Sequence, residues 1–140
     1  MDIRRLRRDL EILLELEKQG AIRGVDWNLD GVDDWIIIYG AFKLPNDFNL
    51  PDVNIKLPIP EDLYEFRGGK FQFYTTVFID SKLRRRSKNG RWRKINRQID
   101  TLGEMEKGWS FLCVIPRPVV EDVDVRSVFP IVQRWLINKG

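Results

Sequence analysis

Residues 52–80 constrain this chain more than any other stretch. They read DVNIKLPIPEDLYEFRGGKFQFYTTVFID. Val53, Ile55, Leu57 and Ile59 alternate with Asn54, Lys56 and Pro58, the period-2 pattern of a strand buried on one face. Pro58 and Pro60 stop it, because proline lacks the N–H that a sheet ladder needs. A loop holding Tyr64, Arg67, Gly68 and Gly69 is expected next. A second run then puts Phe71, Phe73, Val77 and Ile79 on one face and Tyr74 and Phe78 on the other. Apolar on both faces, it predicts a central strand covered from both sides.

Two such strands need partners at their edges and a covering layer. The partners are found upstream. Residues 25–29 form a short apolar-rich strand, Asp30-Gly31 a turn, and WIIIYGAF at 35–42 a strand apolar enough to be interior. The turn sequence DWNLDG resembles the start of a calcium loop, but the position that needs a bidentate glutamate is Ile37, so a hairpin turn is the expected reading. After a connector from Leu44-Pro45 to Pro51, the strands beginning at Asp52 and Lys70 complete a four-stranded antiparallel meander over residues 25–80.

The covering layer is expected from both ends. Over residues 2–19, Ile3, Leu6, Leu10, Leu13 and Leu14 recur at helical spacing, with Asp2 as the cap and Gly20 as the left-handed stop. Its arginine pairs, Arg4-Arg5 and Arg7-Arg8, read as a solvated face. Near the other end Val125, Val128, Phe129, Val132 and Leu136 repeat with the same period. Pro130 would break a helix interior, so the closing helix is expected to start with Ser127 as its cap, leaving Pro130 in the first turn. Between sheet and closing helix lie a polar, basic, irregular segment, in which SKNG at 87–90 reads as a tight turn and RWRKINR at 91–97 as a short strand or an excursion, and the apolar GWSFLCV at 108–114. The fold class is therefore α+β: N-terminal helix, four-stranded antiparallel meander, irregular segment, C-terminal helix. At 140 residues, with no repeat and no boundary signal, it forms one domain spanning 1–140.

Composition narrows the chemistry. The chain has one cysteine and no histidine. An internal disulfide, a histidine-based catalytic triad or Cys-His pair, and a structural zinc site are therefore excluded within it. No cofactor or metal is called for. The lone cysteine fits a reducing, cytoplasmic setting, and no apolar run is long enough for a membrane span. Carboxylate pairs at Asp33-Asp34, Glu61-Asp62 and Glu121-Asp122 all fall near expected turns and read as exposed turn residues.

Charge is uneven. Residues 82–97 carry nine basic side chains and no acid, while the remainder holds 15 basic against 21 acidic residues, a balance of −6. Arg84, Arg85, Arg86, Lys88, Arg91, Trp92 and Arg93 are the candidate partner-binding residues of this run. Like charges in series predict an exposed, mobile segment, anchored only by Leu83, Trp92 and Ile95. Such a surface suits an acidic partner. With an aromatic among arginines it also suits single-stranded nucleic acid, but no nucleic-acid-binding motif accompanies it.

The element order resembles the ubiquitin-conjugating (UBC) fold and its non-catalytic RWD relatives. Leu44-Pro45, Asn49, Leu57-Pro58, the strand VFIDSKL at 77–83 and a late tryptophan, Trp92 or Trp109, follow in the order seen in a bacterial branch, prokaryotic family E. The resemblance spans roughly residues 35–137. It implies a component of a bacterial ubiquitin-like conjugation system, with a ubiquitin-like modifier and its activating enzyme as partners. It also makes Cys113 the counterpart of the catalytic cysteine, which would carry the modifier as a thioester. The His-Pro-Asn motif of that family is missing, and no asparagine lies between Asn96 and Asn138. An oxyanion there would need backbone N–H groups or an arginine. Leu112, Cys113 and Val114 sit in a segment apolar on both faces, which predicts a buried, unreactive thiol. The expected role is a binding or adaptor subunit without thioester chemistry of its own.

Overall fold

The computed structural model describes residues 3–59, 64–67, 70–73, 76–112 and 124–140. Asp2, assigned above as a helix cap, and Cys113 and Val114 lie outside the described residues.

Helix α1 spans Ile3–Lys18. Leu6 and Leu13 are buried, and Leu10 and Leu16 pack beside them. Leu14, expected in the stripe, is instead 42% exposed. Gly20 ends the helix in the left-handed region (φ 77°). There Ala21 N–H donates to Leu16 O at 2.9 Å and Gly20 N–H to Glu17 O at 3.0 Å, the paired bonds of a Schellman stop.

Strand β1 (Gly24–Asn28) pairs antiparallel with β2 (Trp35–Lys43), which pairs with β3 (Asp52–Pro58). The β1–β2 turn is closed by side chains. Asp30 accepts from Val32 N–H (2.8 Å) and Asp33 N–H (2.9 Å), and Asp34 accepts from Gly31 N–H (2.7 Å). The bonds from the Asp33 and Val32 amides, with one from Asn28, lower the Asp30 pKa from 3.8 to about 2. A carboxyl depressed on folding stabilises the native turn above its unfolded value. That contribution is lost as pH falls from 3.8 through about 2. We expect an NMR carboxyl titration to place the Asp30 midpoint near 2, with amide exchange at Val32 and Asp33 rising over that window. A midpoint at or above 3.8 would contradict this.

The strands at 64–80 depart from expectation. Tyr64–Arg67 is a strand (β4), not a loop, and it pairs with β5 (Lys70–Phe73) in a separate two-stranded sheet. The fourth strand of the meander is therefore β6 (Val77–Asp80), not a strand starting at Lys70; β6 pairs with β3. It is central, with Val77 and Ile79 buried on one face and Phe78 half-buried on the other.

The main sheet has six antiparallel strands rather than four. After the short hairpin β7 (Arg84–Arg86) and β8 (Trp92–Lys94) come β9 (Gln98–Ile99), helix α2 (Leu102–Glu106) and β10 (Trp109–Leu112). The apolar segment after Gly108 becomes β10, inserted between β6 and β9, and the order is β1-β2-β3-β6-β10-β9. At the far end a 3-10 turn, Val125–Ser127, leads into α3 (Val128–Lys139). Ser127 stands at the N-cap position of α3, as expected, but is already helical and makes no capping bond; the capping bond is one turn earlier, where Asp124 at the head of the 3-10 turn accepts from Arg126 N–H at 2.8 Å. Pro130 falls in the first turn of α3, where its missing N–H has no cost.

Alternation sorts the sheet into two faces. Ile38, Ile55 and Ile79 share one row of the ladder and join Leu6, Leu13, Val132 and Leu136 in a single core under α1 and α3. The opposite face carries Ile37, Lys56, Phe78 and Phe111 in the next row. Phe78 and Phe111 meet there as a tilted aromatic pair, 5.7 Å between centroids. No helix among the described residues is long and apolar enough to cross a membrane.

Candidate interaction surfaces

The basic segment is a hairpin: SKNG at 87–90 is the expected tight turn, and RWRKINR holds the short strand β8, paired with β7. Leu83 and Ile95 are fully buried at its two ends. Between them β7 and β8 pair Arg84 with Lys94, Arg85 with Arg93, and Arg86 with Trp92. The turn closes through Ser87 N–H to Arg91 O (2.8 Å) and Gly90 N–H to Ser87 O (2.9 Å), with Gly90 at φ 82°. The outer side of β7 is held by the 47–49 segment. Arg84 N–H donates to Asn49 Oδ1 (2.7 Å), and Arg86 N–H to Asp47 O (2.7 Å).

This geometry divides the candidate residues into two sets. Arg85 lies over the Phe48 ring at 4.8 Å and donates to Asp47 Oδ2 (2.7 Å), Leu136 O (2.8 Å) and Ile137 O (3.0 Å). Arg93 donates to Gly140 O (2.8 Å), and Asn96 Nδ2 to Lys139 O (2.7 Å). These side chains donate to carbonyls of the last turn of α3, where Leu136 O also accepts from Gly140 N–H, and the two arginines place cations at the negative end of its dipole. Arg84 is likewise turned onto Ser81 O (2.8 Å) and Leu83 O (2.7 Å). Three of the seven candidates thus serve the fold.

The other four face solvent. Arg86, Lys88, Arg91 and Trp92 are exposed, and Arg86 stacks on the Trp92 ring at 4.8 Å. Lys88 and Arg91 have no ion pair with an acid among the described residues. A stacked Arg-Trp pair flanked by two further cations is a compact basic patch with an apolar anchor at its centre.

A second site lies on the sheet face opposite α1 and α3. It is a cleft of about 710 Å³ bounded by Arg23, Asp52, Asn54, Asp80, Lys82 and Lys107 above Ile37, Tyr39 and Trp109. A bulge shapes it. Gly40 sits at φ 63°, a left-handed conformation that favours glycine, and a Cβ there would come within 2.8 Å of Arg23 Nε, so a larger residue would push Arg23 aside. Its N–H donates to Asn54 Oδ1 at 2.9 Å. Arg23 donates to Asp52 (3.0 Å) and to Asn54 Oδ1 (2.8 Å), and the backbone and side-chain N–H groups of Asn54 both reach Asp80 (3.2 Å each). Burial pushes the Asp80 carboxyl up, against the opposing bonds from Asn54. Sequence reading missed this set because its members come from positions 23, 52–54, 80–82 and 107–109. Only strand pairing brings those positions together.

Among the described residues no cluster of three cysteine, aspartate or glutamate side chains has the spacing to hold a metal ion. The fold and these surfaces define an α+β domain with a basic patch and a polar cleft. No family model, curated protein or solved structure matches the chain.

Proposed function

We propose that this chain is a binding subunit: a UBC-like adaptor of a bacterial ubiquitin-like conjugation system, without thioester chemistry of its own. It docks an acidic partner protein, the modifier or its activating enzyme, on Arg86, Lys88, Arg91 and Trp92. The observation that carries this reading is the division within the basic hairpin. Arg84, Arg85 and Arg93 are consumed by backbone carbonyls, while the outward four form one patch with no acid of their own chain paired to Lys88 or Arg91. An N-terminal helix, an antiparallel sheet and a closing helix follow in the order the resemblance implies.

Two assays test it. Incubation with the cognate activating enzyme, modifier and ATP on a non-reducing gel should give no thiol-sensitive adduct. An adduct lost in Cys113→Ser would restore the carrier reading. Reversing Arg86, Lys88 and Arg91 to glutamate should abolish binding of the modifier or activating enzyme without altering stability. Binding should weaken with salt. Tight binding of a single-stranded oligonucleotide, with a steep salt slope and Trp92 quenching, would favour a nucleic-acid module instead.

A further inference from the structure

The cleft on the far sheet face holds an imbalance of charge that the fold itself does not use. Strand β6 pairs Asp80 with Trp109, and Ser81 N–H continues the contact to Gly108 O at 2.9 Å. The next residues along the two chains are Lys82 and Lys107, both exposed and both lining the cleft. Two like charges on the rim of one cleft repel unless a counter-charge joins them. Neither lysine has an ion pair among the described residues. Of the cleft's carboxylates, Asp52 is paired with Arg23 at 3.0 Å, whereas Asp80 accepts only from the neutral N–H groups of Asn54 and keeps its charge when ionised. Two lysines against that one carboxylate leave a surplus of one positive charge at the rim. Beneath it Ile37 and Trp109 are nearly buried and Tyr39 half-buried, an apolar floor under a cationic edge. A volume of about 710 Å³ is in the range of small-ligand sites.

We infer that this cleft is a ligand site for a small organic anion. The apolar or aromatic body of the ligand rests on Ile37, Tyr39 and Trp109, and its carboxylate or phosphate is held between Lys82 and Lys107. The site is separate from the basic hairpin patch and does not depend on the adaptor reading.

The test titrates the intact chain with phenylacetate and with phenyl phosphate, followed by amide NMR shifts. Phenylacetamide serves as the neutral match, and acetate and inorganic phosphate as heads without a body. Saturable shifts centred on Ser81, Lys82, Gly108 and Trp109 are expected from at least one aryl anion, with Kd on the order of 1 mM or tighter. The tighter of the two identifies the preferred head. Phenylacetamide and the bare heads should bind about tenfold more weakly or worse. The Lys82→Gln/Lys107→Gln double variant exchanges two exposed side chains and should keep the wild-type melting temperature while losing about tenfold in affinity. The inference is overturned by equal binding of phenylacetamide, by shifts confined to residues 84–94, by unchanged affinity in the double variant, or by no saturable shift from either anion.

Discussion

Glu104→Ala is expected to destabilise the chain by about 3 kcal/mol, whereas Lys56→Met should be close to neutral. Lys56 is the one lysine among the described residues that is buried, at 4% exposure in the middle strand β3. Its ammonium meets Glu104 Oε2 at 2.8 Å and lies 5.8 Å from the centre of the Trp35 ring. A charge taken out of water is tolerable only while a counter-charge compensates it. Truncating Glu104 leaves the lysine buried without its carboxylate. Truncating Lys56 to an apolar side chain of similar length removes the desolvated charge together with the bond. The effect on α2 is separate and local. That five-residue helix buries no side chain of its own, so the Glu104 bond is its tie to the sheet face. Urea unfolding of Glu104→Ala, Lys56→Met and the double variant gives the numbers. A double variant more stable than Glu104→Ala is expected, since it removes the orphaned charge. A loss below about 1 kcal/mol in Glu104→Ala would show the lysine to be solvated in its absence.

Arg85→Ala should cost about 2–3 kcal/mol, and Arg85→Lys should recover less than half of it. Arg85 is the joint between the basic hairpin, the 47–49 segment and the C-terminus of α3. One guanidinium serves Asp47, two helix carbonyls and the face of Phe48. An ammonium cannot reproduce that planar fork, and it cannot stack. Arg86→Ala, one residue along, should change stability by no more than about 0.5 kcal/mol, because its side chain is exposed. Unfolding curves for the three variants, with amide exchange at the last turn of α3, separate the two roles. Equal losses at positions 85 and 86 would contradict the division of this hairpin into structural and partner-facing residues.

Both predictions concern long-range pairs, and that is where sequence reading stopped. The alternation at 52–59 and the run at 35–42 were legible, because a strand buried on one face writes its period into adjacent residues. So was the Gly20 stop, since the left-handed conformation selects the residue locally. The apolar repeat from Val125 to Leu136 and the place of Pro130 were legible for the same reason. The split of 70–80 into β5 and β6 was not legible. A continuous apolar run looks the same whether one strand or two is drawn from it, and the pairing partner decides.

The basic segment shows the limit most clearly. Nine positive charges among the sixteen residues 82–97 read as an exposed, mobile segment, since local repulsion is most of what the sequence displays. Leu83 and Ile95 being buried, and the negative end of α3 lying within reach, turn the segment into a hairpin that caps a helix more than 40 residues away. In the cleft, Arg23, Asn54, Asp80 and Lys107 carry no mutual signal along the chain, because their contact exists only through strand pairing. The sequence by itself determined the helices α1 and α3, the strands β1, β2 and β3 and the apolar faces they bury, because those properties repeat over two to four residues. Tertiary structure alone decided which charges are bound and which are left to solvent, because that depends on partners brought close by the sheet and the core.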